Sequence, residues 1–199
     1  MHVRFMVKTY MPSRAFSLLA IAMVRVACAS GGSQKVDLTP KTTTSISVSS
    51  TAFQAGRAIP VRNSGYGANV SPALTWSTPP SKTRSVVLIV DDPDAPGGTF
   101  THWLLYNLSG ETNSLPAGLP KTSQLNQIGS AAQGKNDTGN IGYFGPRPPA
   151  GKAHHYHFKV YALDLPLGLN PGASRAQVLR AMSGHVLASG ELVGLFQEH

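Results

Sequence analysis

The sequence contains few cysteines and few charged residues, which excludes several classes of protein. It has one cysteine among 199 residues, which excludes a disulfide framework and a cysteine-rich zinc module. Only 13% of the residues are charged, too few for a coiled coil or a long helical array. A hydrophobic content of 41% is too high for a disordered chain. The 20 glycines and 15 prolines show no periodicity and predict one β-rich globular domain with many turns.

The chain also lacks the basic surface of a nucleic-acid-binding protein. Its formal charge of +8 comes from 17 basic and nine acidic residues. Four of the basic residues, Arg4, Lys8, Arg14 and Arg25, precede position 28, which leaves a charge of +4 on the remainder. Those charges are scattered, with no stripe of Lys and Arg between aromatic residues. We therefore expect no nucleic-acid partner.

Residues 1–28 are typical of an export signal. Basic residues up to Arg14 precede an apolar run at 15–24, which has the length of a signal-peptide core and is too short to span a bilayer. Residues 26–28, Val-Ala-Cys, resemble the end of a bacterial lipoprotein signal, in which Cys28 would receive the lipid. Arg25 departs from that pattern, so cleavage at a neighbouring alanine and a cytosolic N-terminal helix stay open as alternatives. We expect an exported protein, either anchored in the cell envelope or secreted.

The rest of the chain divides into a linker and one domain. Residues 29–44 are small, polar and rich in turn formers, which predicts a flexible linker. Strand patterns dominate residues 45–199. The segments with alternating or continuous apolar character, which predict strands, are 45–50, 85–90, 102–108, 154–163 and 191–196.

One helix is predicted late in the domain. Ser174 is a suitable N-cap, and Val178, Leu179 and Met182 fall on one face of the helix that follows. Ser183-Gly184 should end it. The domain is therefore mainly β with peripheral helix.

The first segment with chemical potential is acidic. Asp91, Asp92 and Asp94 follow the buried strand at 85–90, and prolines at 93 and 96 stiffen the chain there. We expect the three acids on a loop at a strand end. Their mutual repulsion is costly unless donors or a cation meet them. A solvated acidic turn is the alternative.

The second segment begins at His102. Alternation along a strand puts His102, Leu104 and Tyr106 on one face and Trp103 and Leu105 on the other. His102 should then lie at the exposed end of its strand. It could bind a ligand there, or act only as a structural hydrogen-bond partner.

The third segment is a loop rich in glycine and proline, 142–151, followed by a strand. The loop should expose backbone N–H groups that can cradle an anion. Alternation in the strand places His154, Tyr156, Phe158 and Val160 on one face and His155, His157 and Tyr161 on the other. A polar strand edge is the alternative interpretation of these histidines.

These segments together resemble the signature of the phosphatidylethanolamine-binding protein family. The resemblance rests on four motifs in family order, Asp92-Pro-Asp-Ala-Pro96, His102-Trp103, the Gly-Tyr-x-Gly-Pro-x-Pro-Pro-x-Gly of 142–151, and His154-x-Tyr156. Residues 161–164 and 184–188 resemble the bacterial Raf-kinase-inhibitor-like branch. The resemblance covers roughly 45–196. It implies a central antiparallel sheet, a smaller second sheet and peripheral helices.

The resemblance also implies an anion pocket at one end of the sheet. Its ligand-binding residues would be Asp92, Asp94, His102, Gly145, His154 and Tyr156. Imidazole N–H groups, a tyrosine O–H and loop amides are able to bind a phosphate, a sulfate or a carboxylate. Asp92 would orient one histidine and keep it protonated, and Asp94 would support the loop. Arg147 could add a charge to the anion or point into water.

Three functions follow as hypotheses. The first is noncatalytic binding of a phosphate-type anion or a phospholipid headgroup, without cofactor or metal. The second is regulation of a protein target, such as a serine protease or a kinase. The third is hydrolysis, either with a metal held by His102, His154 and Asp92 or with a serine nucleophile, although no Gly-x-Ser-x-Gly or His-Glu-x-x-His motif is present. We rank binding first. We expect contact with a membrane only through a lipid anchor, and a homodimer is compatible with the resemblance.

Overall fold

The structure is a computed structural model that describes residues 42–129 and 131–198. The predicted signal segment at 1–28, with Cys28, lies outside the described residues. The predicted linker lies outside them up to position 41.

Two antiparallel sheets make up most of the described domain. The larger has the strand order β6-β7-β4-β3-β8-β9, and the smaller has the order β1-β2-β5. The strands are β1 Val48–Ser49, β2 Leu74–Trp76, β3 Ser85–Asp92, β4 Phe100–Ser109, β5 Ser114–Leu115, β6 Gln124–Leu125, β7 Ala131–Gln133, β8 His154–Leu163 and β9 Val186–Phe196; helix α1 is Arg175–Met182, and short 3-10 helices are Val61–Asn63 and Asn126–Ile128. The mainly β prediction, with a central sheet and a smaller second one, is confirmed.

Strand β3 lies at the centre of the large sheet and is buried along its whole length. Val86, Leu88 and Val90 join the core shared with the small sheet. Val87 and Ile89 join the core on the opposite face, which α1 covers. This explains the continuous apolar run, because both faces of the strand exclude water.

The acidic segment differs from the prediction. Strand β3 continues through Asp91 and Asp92, so only Asp94 lies on the loop. Asp92 pairs with Phe100 across the antiparallel ladder. The C-terminal end of β3 and the N-terminal ends of β4 and β8 therefore lie side by side at one end of the sheet, which brings their polar residues together.

The predicted helix is confirmed. Ser174 accepts a hydrogen bond from the Gln177 backbone N–H, and the Gln177 side chain accepts one from the Ser174 backbone N–H, which makes a capping box. Val178, Leu179 and Met182 are buried against the sheet. Elsewhere the strand at 45–50 is shorter than predicted, and the last strand begins at Val186 instead of 191.

A β-bulge changes the face on which His102 lies. Val90 is opposite Trp103 and Asp91 is opposite Thr101, so His102 is an extra residue in β4. Its ring meets Tyr156 edge-on with 5.1 Å between centroids. Leu104 and Tyr106 belong to the opposite core. The prediction that His102 shares their face at an exposed strand end was wrong, and the residue is only 4% exposed.

Among residues 42–129 and 131–198, no helix has the length and apolar character needed to cross a membrane.

Candidate functional site

A small cavity opens where the ends of β3, β4 and β8 meet the loop at 142–151. Its volume is about 180 Å³, below the roughly 300–1,000 Å³ of pockets for drug-sized ligands. The cavity therefore suits one small chemical group. Its apolar lining consists of Ala95, Pro96, Phe100, Phe144, Pro148 and Pro149, and its polar lining consists of Asp92, His102, Arg147, His154 and Tyr156.

The three neighbouring acids each have a separate basic partner. Asp91 points to the α1 face and accepts two hydrogen bonds from Arg175, at 3.2 and 3.0 Å. Asp92 faces the cavity and pairs with His154, while Asp94 pairs with His155. Each of the three acids thus has a basic residue beside it, and Asp92 is the acid that lines the cavity.

The Asp92–His154 pair forms the polar floor of the cavity. His154 Nδ1 lies 2.8 Å from Asp92 Oδ2, and Asp92 Oδ1 accepts a hydrogen bond of 2.9 Å from the Asp94 backbone. Both side chains are almost fully buried. Since an ionised carboxylate only accepts, Nδ1 carries a proton and the ring orientation is set. His154 Nε2 is left for a ligand.

His102 lines the cavity with a different hydrogen-bonding role. Its Nδ1 lies 2.7 Å from the carbonyl oxygen of Phe144, which only accepts, so Nδ1 donates. Burial lowers the pKa of His102 below its ordinary value of 6.5, and the bond to Phe144 and the charge of Asp92 oppose that shift without cancelling it. At neutral pH the ring is neutral. The Nδ1–H already donates to Phe144, so it is not available to an anion. The sequence analysis had expected imidazole N–H groups to serve as anion donors.

Tyr156 lies beneath the cavity with a buried hydroxyl. It makes no hydrogen bond of ordinary length and angle within the described part of the chain, although the Asp92 carboxylate lies near it. Burial, followed by the negative charge of Asp92 and its proximity as an acceptor, raises the pKa of Tyr156 well above its ordinary range. The hydroxyl is therefore neutral, and Asp92 is its nearest available acceptor.

Gly145 has a packing role instead of an open amide. Its N–H donates to Asn69 Oδ1 at 2.8 Å, and a Cβ there would lie 2.3 Å from the Asn63 carbonyl oxygen. Asn69 itself has a positive φ of 55°, a left-handed conformation that asparagine adopts more readily than most residues with a side chain. The Gly145 N–H is therefore already bonded within the protein.

Asp94 lies outside the cavity lining. Its carboxylate accepts bonds from the backbone N–H and the ring Nδ1 of His155, at 2.8 and 2.7 Å. The side-chain hydrogen bond from His155 is the main reason that the pKa of Asp94 lies below its usual range. Asp94 therefore ties the loop between β3 and β4 to the start of β8.

The sequence analysis missed part of the cavity wall. Phe144 stacks on His102 with 5.7 Å between ring centroids. The Arg147 guanidinium lies 5.5 Å from the centre of the Tyr66 ring, and the Tyr66 hydroxyl donates to the Pro148 carbonyl at 2.6 Å. Arg147 thus borders the cavity on an aromatic support. Tyr66 and Pro148 are 82 residues apart in the chain, so local sequence patterns do not indicate that they meet.

The cavity has no arrangement typical of a metal centre. Within the part of the chain that the structure describes, no group of three or more His, Cys, Asp or Glu residues is placed to hold a metal ion.

The fold and the cavity define a two-sheet β domain with a buried His/Asp site at one edge of its central sheet. The chain belongs to the phosphatidylethanolamine-binding protein family, whose model matches residues 49–197. UPF0098 protein PH1269 of Pyrococcus horikoshii is 44% identical over 181 residues, which cover 90% of this chain and 86% of that protein. LppC of Mycobacterium tuberculosis, whose name marks it as a candidate lipoprotein, is 36% identical over 90% of this chain and 92% of its own length.

Solved structures show the same fold. The PEBP homolog CT736 of Chlamydia trachomatis is 39% identical, with a TM-score of 0.70 over 79% of this chain and all of that one. YbcL of E. coli, described as a member of the mammalian PEBP family, is 31% identical, with a TM-score of 0.73 over 78% of this chain and all of that one. The family resemblance inferred from the four motifs is confirmed.

Proposed function

We propose that this protein binds a phosphate-type anionic group in the cavity, without catalysing a reaction. The observation that carries the proposal is the buried Asp92–His154 pair, which directs His154 Nε2 toward a cavity large enough for one small group. An imidazolium held by a carboxylate is a charge-assisted donor for an anion. Arg147 at the border adds a second positive charge.

Support for an anion also comes from the charge balance of the lining. Arg147 balances the charge of Asp92 in the lining, and protonation of His154 would make the lining net positive. The apolar residues of the lining lower the local dielectric constant, which strengthens hydrogen bonds to a bound anion.

Thermal unfolding of the full chain tests the proposal. Inorganic phosphate or phosphoethanolamine should raise Tm, and more strongly at pH 6 than at pH 8, because histidine gains its charge in that range. Ligand at 100 times its Kd adds about 2.7 kcal/mol.

A matched pair of variants makes this test specific. His154→Ala should fold and lose the phosphate effect. His185→Ala should keep it, because His185 pairs with Asp164 away from the cavity. An undiminished shift in His154→Ala would contradict the proposal. A wild-type protein that does not respond to anions would favour the regulator hypothesis, and stabilisation by zinc that grows with pH would favour a metal site.

We also propose that the protein is exported and anchored through Cys28. The proposal rests on the signal-like pattern of residues 1–28 and on the name of the relative LppC. Expression of the full chain in a bacterium fed labelled palmitate tests it. The wild type should carry the label and Cys28→Ala should not. A wild-type protein without label would contradict the anchor and would indicate either signal cleavage without lipid attachment or retention in the cytosol.

A further inference from the structure

A second cavity is lined in part by Phe144, which also lines the proposed anion site. Its volume is about 440 Å³, within the roughly 300–1,000 Å³ of pockets that hold small organic ligands. Three asparagines make it an amide cavity. Its polar lining consists of Asn69, Lys121, Asn136, Thr138 and Asn140.

Hydrogen bonds within the loop at 136–142 fix the orientation of the Asn140 amide. Asn136 Oδ1 accepts from the backbone N–H groups of Thr138 and Asn140, at 3.0 and 3.3 Å. The Thr138 hydroxyl donates to the same oxygen, so its own oxygen accepts from Asn140 Nδ2 at 2.9 Å. Asn140 Oδ1 is therefore an available acceptor, since no described residue donates to it.

The amide cavity also has two available donors. The Gly145 N–H donates to Asn69 Oδ1, which leaves Asn69 Nδ2 available to donate. The Lys121 ammonium pairs with no described carboxylate, whereas Lys159 and Arg175 both pair with Asp91. Burial lowers the pKa of Lys121 below its ordinary value of 10.5, and no carboxylate opposes that shift. The described residues that line the cavity include no acid, so Lys121 is its only charged group.

The loop holds these groups in place before a ligand binds. The Asn136 backbone N–H donates to the Asn140 carbonyl at 2.9 Å, and Asn136 Nδ2 donates to the Gly142 carbonyl at 3.0 Å. A Cβ at Gly142 would lie 3.0 Å from Lys121 Cα, so the loop packs directly against the Lys121 backbone. Groups that are already ordered lose less conformational entropy when a ligand binds.

We propose that the amide cavity binds a saccharide that carries a carboxylate, independently of the proposed anion site. A sugar hydroxyl donates and accepts at once, so neighbouring hydroxyls match the Asn140 acceptor and the Asn69 donor. The carboxylate pairs with the Lys121 ammonium. The half-buried side chains of Ile141 and Phe144 offer an apolar surface to the C–H groups of the sugar ring. A simple anion only accepts hydrogen bonds and would leave Asn140 Oδ1 without a donor.

Three ligands test the proposal in NMR titrations of the ¹⁵N-labelled full chain. D-glucuronate should shift the backbone amide signals of residues 136–145. It should bind about tenfold more tightly than D-glucose, which has the hydroxyls without the charged acceptor for Lys121. Acetate has the charge without the hydroxyls, and it should also bind about tenfold more weakly than D-glucuronate.

Two variants separate the charge from the hydroxyl recognition. Lys121→Gln should bind D-glucuronate and D-glucose nearly equally, because the ammonium is gone. Asn140→Ala should weaken both sugars by about three- to tenfold, because one acceptor is lost. Both positions are exposed, so both variants should fold. Lys82→Gln and Asn113→Ala are the matched controls and should bind as the wild type does, because neither residue lines the cavity.

Several results would overturn the proposal. They are acetate binding as tightly as D-glucuronate, no shift with millimolar D-glucuronate, and shifts confined to His102 and His154 of the anion site. His154→Ala should keep the D-glucuronate shifts while it loses the phosphate effect. Failure of the anion site and failure of the amide cavity are therefore distinguishable.

Discussion

Removal of one hydroxyl group under the cavity should stabilise the ligand-free protein. The Tyr156 side chain is fully buried, and its hydroxyl makes no hydrogen bond of ordinary length and angle to a described residue, the Asp92 carboxylate being its nearest acceptor. A buried polar group without a partner costs about 1–3 kcal/mol. We therefore expect Tyr156→Phe to raise the free energy of unfolding by about 1 kcal/mol, which is about 2–4 °C in Tm for a domain of this size.

Tyr143 provides a matched control for this substitution. It is also buried, and its ring meets Trp103 edge-on at 5.5 Å between centroids. Its hydroxyl, however, donates to the Asn63 carbonyl at 2.7 Å. Tyr143→Phe should therefore lower the free energy of unfolding by about 1 kcal/mol. The same chemical change has opposite signs at the two positions because only one hydroxyl is satisfied.

Urea unfolding of the full chain at pH 7, first in phosphate-free buffer, measures both effects. Phosphate should then stabilise Tyr156→Phe less than the wild type, because the proposed site has lost a donor. A Tyr156→Phe protein destabilised as much as Tyr143→Phe would refute the reasoning, since it would mean that the Tyr156 hydroxyl is hydrogen bonded in solution.

Three further predictions concern the surroundings of the cavity. Gly145→Ala should destabilise the protein by about 1–3 kcal/mol in urea unfolding, because the new Cβ would lie 2.3 Å from a backbone oxygen. Gly97→Ala is the control and should be nearly neutral, because a Cβ at that position has no atom within 4 Å. Arg175→Met should cost about 1–3 kcal/mol, because it removes the two hydrogen bonds to the buried Asp91 carboxylate and leaves only Lys159, at 3.7 Å, beside it. An effect below about 0.5 kcal/mol would contradict this. The stability of the wild type should fall as pH drops below 6.5, because His102 binds a proton more readily in the unfolded state than in the folded state, where its pKa is lowered. His102→Asn should reduce this pH dependence of the free energy of unfolding. An unchanged pH dependence would exclude His102 as its source.

Much of the fold could be predicted from local patterns. The run at 85–90 indicated a strand buried on both faces, and Ser174 with the spacing of Val178, Leu179 and Met182 indicated the helix. Alternation from His154 placed Tyr156, Phe158 and Val160 in the common core. These predictions succeed because strand and helix periodicities are properties of neighbouring residues.

The four short, contiguous motifs were enough to identify the family. What the individual polar groups do depends on contacts between distant segments. The bulge that turns His102 toward Tyr156 depends on the register between β3 and β4, which local alternation does not encode.

The hydrogen-bond assignments in the cavity have the same origin. The Asn69 side chain accepts a hydrogen bond from the backbone N–H of Gly145, 76 residues away, and the Phe144 carbonyl accepts one from His102, 42 residues away. Each of these bonds joins segments that meet only after the sheet has formed. The sequence therefore specifies which polar groups are available, and the packing of the loops on the sheet decides which of them remain free for a ligand.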